Sequence, residues 1–123
     1  MQFDHHLILA LFHIAFVVPL FFLIAFFRKD MPVWAYNALL GLGLFVLAYH
    51  AYKMVNRWIT RSGYAWVNAI HVFFVAPLLI YIGYQQKETA RAAYELCIMV
   101  GSAALGYHTY SLVQQINTVP DID

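Results

Sequence analysis

Long apolar runs restrict the fold of this sequence more than any other feature. The run from Leu7 to Phe27 contains 21 residues without Asp, Glu, Lys or Arg. A bilayer's hydrocarbon core of ~30 Å is crossed by about 20 helical residues, and backbone groups in lipid must pair within their own helix. Charged residues make up only 11% of the chain, against about 25% in an average soluble domain. The sequence therefore predicts a multi-pass integral membrane protein whose first partner is the lipid bilayer.

Four stretches are long and apolar enough to span the membrane, at roughly 6–27, 33–55, 63–84 and 90–115. Trp34, Trp58 and Trp66 lie near their ends, where interfacial aromatic residues are enriched. The connections are short, which makes consecutive helices antiparallel neighbours. We therefore expect an all-α membrane protein, a four-transmembrane-helix antiparallel bundle that forms a single domain over residues 1–123.

An ungapped internal repeat relates the two halves of the chain with a spacing of 58 residues. Identical pairs include His13/His71, Pro19/Pro77, Gly43/Gly101, Tyr49/Tyr107 and His50/His108. The spacing predicts two duplicated helical hairpins, the first at about 6–57 and the second at about 63–116. Each copy contains two spans, so the copies run in the same direction, and a pseudo-twofold axis lies along the membrane normal.

Four histidines are predicted to lie at one depth in the membrane. His13 precedes the first connection by 15 residues and His50 follows it by 18, which at ~1.5 Å per helical residue gives similar heights. The repeat places His71 and His108 in the same way. Because ionisable side chains within a membrane are costly and usually mark a functional site, we expect these imidazoles to hold a shared ligand.

The glycines indicate what kind of ligand this is. Gly43 and Gly101 each precede a histidine by seven residues, almost two helical turns, and therefore lie on the same helix face as that histidine. The missing side chains would open a slot for a planar macrocycle, with Phe16 and Phe74 packing against its face or edge. The alternative is close helix packing of the small-residue kind.

In architecture, this arrangement resembles the four-helix membrane b-type cytochromes, in which histidines on facing helices hold haem iron. The resemblance implies haem b with bis-histidine ligation and electron transfer, because two axial imidazoles leave no open position for a substrate. We expect a redox carrier with a redox partner, and not a catalyst with its own substrate. His50 and His108 are the first choice as iron ligands, and His13 and His71 the second.

Other functions stay open at this point. The four histidines could instead bind or transport a single copper, zinc or iron ion, conduct protons, or only pack inside a cofactor-free structural or assembly subunit. The aromatic-rich outer surfaces could support a homodimer. A net charge of +1 and the lack of a basic run argue against nucleic acid as a partner.

Overall fold

The structure, a computed structural model, describes residues 5–117, so the first four and last six residues of the predicted domain fall outside it. Its regular structure within these bounds is helical. Four helices follow one another along the chain: α1 (His6–Asp30), α2 (Val33–Ile59), α3 (Ala65–Glu88) and α4 (Arg91–Asn117).

Each of the four helices is long and apolar enough to cross a membrane, which confirms the prediction of four candidate spans. The predicted boundaries differ from the observed ones by a few residues. The largest differences, four residues each, are at the ends of α2 and α3, which continue to Ile59 and Glu88 and not to residues 55 and 84. A helix does not stop where its apolar run stops, since polar residues such as Asn56 and Arg57 extend the same backbone hydrogen-bond ladder into the more polar interface.

The helical segments recur with the 58-residue spacing of the sequence. Helices α2 and α4 both contain 27 residues, and their first residues, Val33 and Arg91, are 58 positions apart. Within α1 and α3, three further segments match at this offset: the π-helical turns His13–Val17 and His71–Val75, the α-helices Val18–Phe27 and Ala76–Gln85, and the 3-10 turns Arg28–Asp30 and Gln86–Glu88. Even the positive φ of Arg28 (48°) recurs at Gln86 (54°).

The two π-helical turns end just before a proline in each helix. The backbone N–H of Val18 bonds to the carbonyl of His13, and that of Ala76 bonds to the carbonyl of His71, five residues back in both cases. Pro19 or Pro77 follows immediately. A proline within a helix lacks its own N–H and collides with a carbonyl of the preceding turn, and a widened turn relieves that crowding. Each π-helical turn begins at a histidine, and such turns are frequent at functional sites.

The helices group into two compact units. The first unit joins α1 as far as Phe27 to α4 from Tyr94 onward. Its core contains Phe21, Ile24 and Cys97, all nearly inaccessible to solvent. Gly101 of α4 lies against Phe21 and Phe22 of α1, so these two helices pack through a position that carries no side chain.

The second unit consists of Arg28–Ala93 and contains α2 and α3. These helices approach very closely at two glycines. A Cβ atom added to Gly83 would lie 2.5 Å from the backbone nitrogen of Leu40, and one added to Gly43 would lie 2.9 Å from that of Ile80. The fully buried Tyr36 donates its hydroxyl proton to the carbonyl of Arg28 at 2.9 Å and so ties α2 to the turn before it.

Candidate functional site

The first unit contains one pair of stacked histidines. The imidazole rings of His13 on α1 and His108 on α4 have centroids 4.2 Å apart and planes inclined by 22°. Both side chains are partly buried. The ring of Tyr107 is nearly perpendicular to that of His108, with the two centroids 5.1 Å apart. Two histidines that lie 95 positions apart in the sequence are thus in direct contact.

The second unit contains a matching pair, formed by His50 on α2 and His71 on α3. Here the centroids are 4.1 Å apart and the planes are inclined by 14°. Tyr49 lies edge-on to His50 at 5.2 Å, as Tyr107 does to His108. The 58-residue repeat relates the two pairs to each other, because His13 corresponds to His71 and His50 corresponds to His108.

Hydrogen bonds determine which ring nitrogen carries the proton. The Nδ1 atom of His13 lies 2.7 Å from the carbonyl oxygen of Leu9, and that of His71 lies 2.7 Å from the carbonyl oxygen of Val67. A carbonyl oxygen can only accept, so Nδ1 is the protonated nitrogen in both rings. In the neutral imidazole the lone pair then resides on Nε2, the arrangement found in metal-ligating histidines with a second-shell carbonyl.

His50 has a side-chain partner in the same role. Its Nδ1 atom lies 2.9 Å from Oδ1 of Asn68, a residue that is only 2% exposed. Sequence analysis missed Asn68 because the 58-residue repeat pairs it with Ala10, so no matching polar residue drew attention to it. A signal was nevertheless present, because an asparagine three residues before a histidine within an apolar span is unusual.

The stacking limits how the histidines could share an iron. Two trans ligands point at each other through the metal, and two metal–nitrogen bonds of ~2.0 Å already separate their nitrogen atoms by about 4 Å. The ring centroids are then farther apart still. In the two stacked pairs the ring centroids are only 4.2 and 4.1 Å apart and the ring planes are nearly parallel. Neither pair therefore has the geometry of two trans ligands.

The remaining predicted site residues are two glycines that contact a neighbouring helix and two phenylalanines that are exposed. Gly43 and Gly101 lie against a neighbouring helix, which is the close packing given as the alternative to a slot. Phe16 and Phe74 are exposed, at 67% and 45% of their surface. A role for these four residues beside a macrocycle stays a prediction.

No group of three or more His, Cys, Asp or Glu side chains comes together as a metal site among the described residues. The alternative of a single ion held by four histidines stays a prediction. Comparisons of the chain with protein-family models, with curated proteins and with solved structures find no match.

Proposed function

We propose that this chain is an integral membrane haem-b protein in which histidine Nε2 atoms ligate the iron and whose role is electron transfer. The observation that carries the proposal is the hydrogen bonding of Nδ1 in His13, His50 and His71. Three imidazoles within apolar helices are each held in the tautomer that leaves the Nε2 lone pair for a metal.

The proposal includes a duplicated helical hairpin with antiparallel helices. Equal segment lengths at the 58-residue spacing support the duplication, as do equivalent contacts: Gly43 meets Leu79 and Ile80, while Gly101 meets Phe21 and Phe22. An antiparallel course for α2 and α3 is supported by contacts that run in opposite order along the two helices, from Asn37 with Gln86 through Gly43 with Ile80 to His50 with His71.

In this function the protein holds the haem, orients the ligating histidines and keeps water away from them. The carbonyl groups of Leu9 and Val67 fix the ring orientation of His13 and His71 through Nδ1 and increase the electron density on Nε2. The apolar helices keep water away. When bound, haem b supplies a reversible one-electron couple, and ligation by two imidazoles leaves it no open coordination position. The residue pair proposed first for ligation is His50 with His108, and the second is His13 with His71.

Titration of the full chain with haemin in detergent tests the proposal. We expect a Soret band that saturates at a fixed stoichiometry and sharp α and β bands after reduction. The double variant His50→Ala/His108→Ala should lose these bands if this pair ligates, and the corresponding variant at His13 and His71 should lose them if the second pair does. His6→Ala is the matched control, because this exposed histidine lies outside the four.

The same titration separates the other functions. Wild-type protein that stays colourless with excess haemin contradicts the proposal. Stoichiometric copper, zinc or iron in that colourless protein would favour an ion site, and its absence would favour a structural subunit. Bands that persist in both double variants would show that haem binds without these histidines and would also contradict the proposed ligation.

A further inference from the structure

One difference between the two units concerns the residue three positions before the histidine that begins each π-helical turn. This residue is Asn68 in the second unit and Ala10 in the first. Both are buried, with 2% and 1% of their surface exposed. The alanine shows that a small apolar residue is compatible with this place in a unit, so the fold alone does not require an amide there.

The amide of Asn68 is costly where it lies. Its oxygen accepts the hydrogen bond from Nδ1 of His50. Its nitrogen Nδ2 has no hydrogen-bond partner in the described part of the chain, although it is buried. Buried polar groups without a partner destabilise a fold and are rare, so each one calls for an explanation. The bond to His50 provides that explanation.

We infer that Asn68 is a positioning residue for His50, which it holds as the Nδ1-protonated, Nε2-ligating tautomer. This inference rests on the proposed function for the identity of the ligand. His50 is the histidine on α2. Asn68 supplies from α3 the acceptor that Leu9 and Val67 supply to His13 and His71 from their own helices.

The consequence is a graded effect on a bound iron. An acceptor on Nδ1–H makes the imidazole a stronger donor through Nε2, which favours ferric over ferrous iron. Asn68→Ala removes the acceptor and should raise the midpoint potential. Asn68→Asp offers a stronger acceptor at the same position and should lower it. A residue with a merely structural role would not shift the potential in opposite directions for these two substitutions.

The test begins without haem. In the full-length protein in detergent micelles, labelled with ¹⁵N-histidine, we expect His50 to show the Nδ1-protonated tautomer and Asn68→Ala to convert it to a mixture, with His71 unchanged as the internal reference. Haemin titration then follows, where loss of a second-shell partner typically lowers metal affinity by about 10- to 100-fold. Asn68→Asp should retain both the tautomer and the affinity.

The outcomes separate the two proposals. An unchanged His50 tautomer in a folded Asn68→Ala variant overturns the role of Asn68, whether or not haem binds. A tautomer that depends on Asn68 in a protein that never binds haem supports the positioning role and overturns the proposed function. If Asn68→Ala does not fold, Asn68→Leu, which fills a similar volume without polar atoms, takes its place in the same measurements.

Discussion

Adding one methyl group at Gly83 should destabilise the protein, whereas the same change at Gly41 should not. In the described structure, a Cβ atom at Gly83 meets three atoms of Leu40, at 2.5, 2.7 and 2.8 Å, and two of them are backbone atoms. Ordinary contact begins at 3.4 Å, so α2 and α3 would have to separate locally by about 0.9 Å. Nothing lies within 4 Å of the corresponding position at Gly41.

The expected magnitude follows from two opposing terms. Replacing a helical glycine by alanine stabilises a helix by about 0.5–1 kcal/mol, a gain that both variants share. Overpacking at a rigid contact costs about 1–3 kcal/mol, and the backbone atoms at Gly83 place the cost near the upper end. Gly83→Ala should therefore be about 3 kcal/mol less stable than Gly41→Ala, since the shared gain cancels in the comparison.

Unfolding by SDS titration in mixed micelles, followed by circular dichroism, measures this difference. Gly43→Ala, with backbone contact at 2.9 Å, should fall between the two variants. Gly101→Ala should lie close to Gly41→Ala, because its nearest neighbour is a Phe22 ring atom at 3.2 Å, and a ring can turn aside. Equal stabilities for Gly83→Ala and Gly41→Ala would refute the close approach of these helices.

Two further stability predictions follow from single residues. Arg61 has φ 56° at the end of α2, where its N–H bonds to the carbonyl of Trp58, so Arg61→Gly should stabilise the protein by about 1 kcal/mol in the SDS titration; a loss of stability would contradict the left-handed cap. Tyr36→Phe removes the hydrogen bond from this buried tyrosine to the carbonyl of Arg28 and should cost about 1 kcal/mol, while the exposed control Tyr52→Phe should cost nothing measurable. Equal effects of the two tyrosine substitutions would show that the bond does not contribute.

Hydropathy was sufficient to predict the four helices, because the apolar runs leave few alternatives for a backbone in lipid. The ends were harder to place. After α2 the chain turns at Arg61, which has a positive φ, and the backbone N–H of Ser62 bonds to the carbonyl of Arg57. Glycine is the usual residue at the position that Arg61 occupies. The sequence has its glycine two residues later, at Gly63, so the usual signal points to the wrong residue.

The site was predictable in part. The 58-residue spacing identified four histidines in the sequence. A spacing predicts how far along its helix each histidine lies, but it does not predict which side chain its ring contacts. The stacking of His13 on His108 and of His50 on His71 depends on how the helices are rotated, and long apolar runs contain little information about rotation. Asn68 was missed for a related reason, since it breaks the repeat by which the other site residues were recognised.

Low-temperature EPR of the ferric protein after haemin titration tests the central claim most directly, because it reports the axial ligands of the iron. Ligation by two histidine Nε2 atoms predicts a low-spin spectrum of the bis-imidazole type, which disappears in the double variant that removes the ligating pair and persists in His6→Ala. A high-spin spectrum, or a low-spin one that neither double variant alters, would contradict the account.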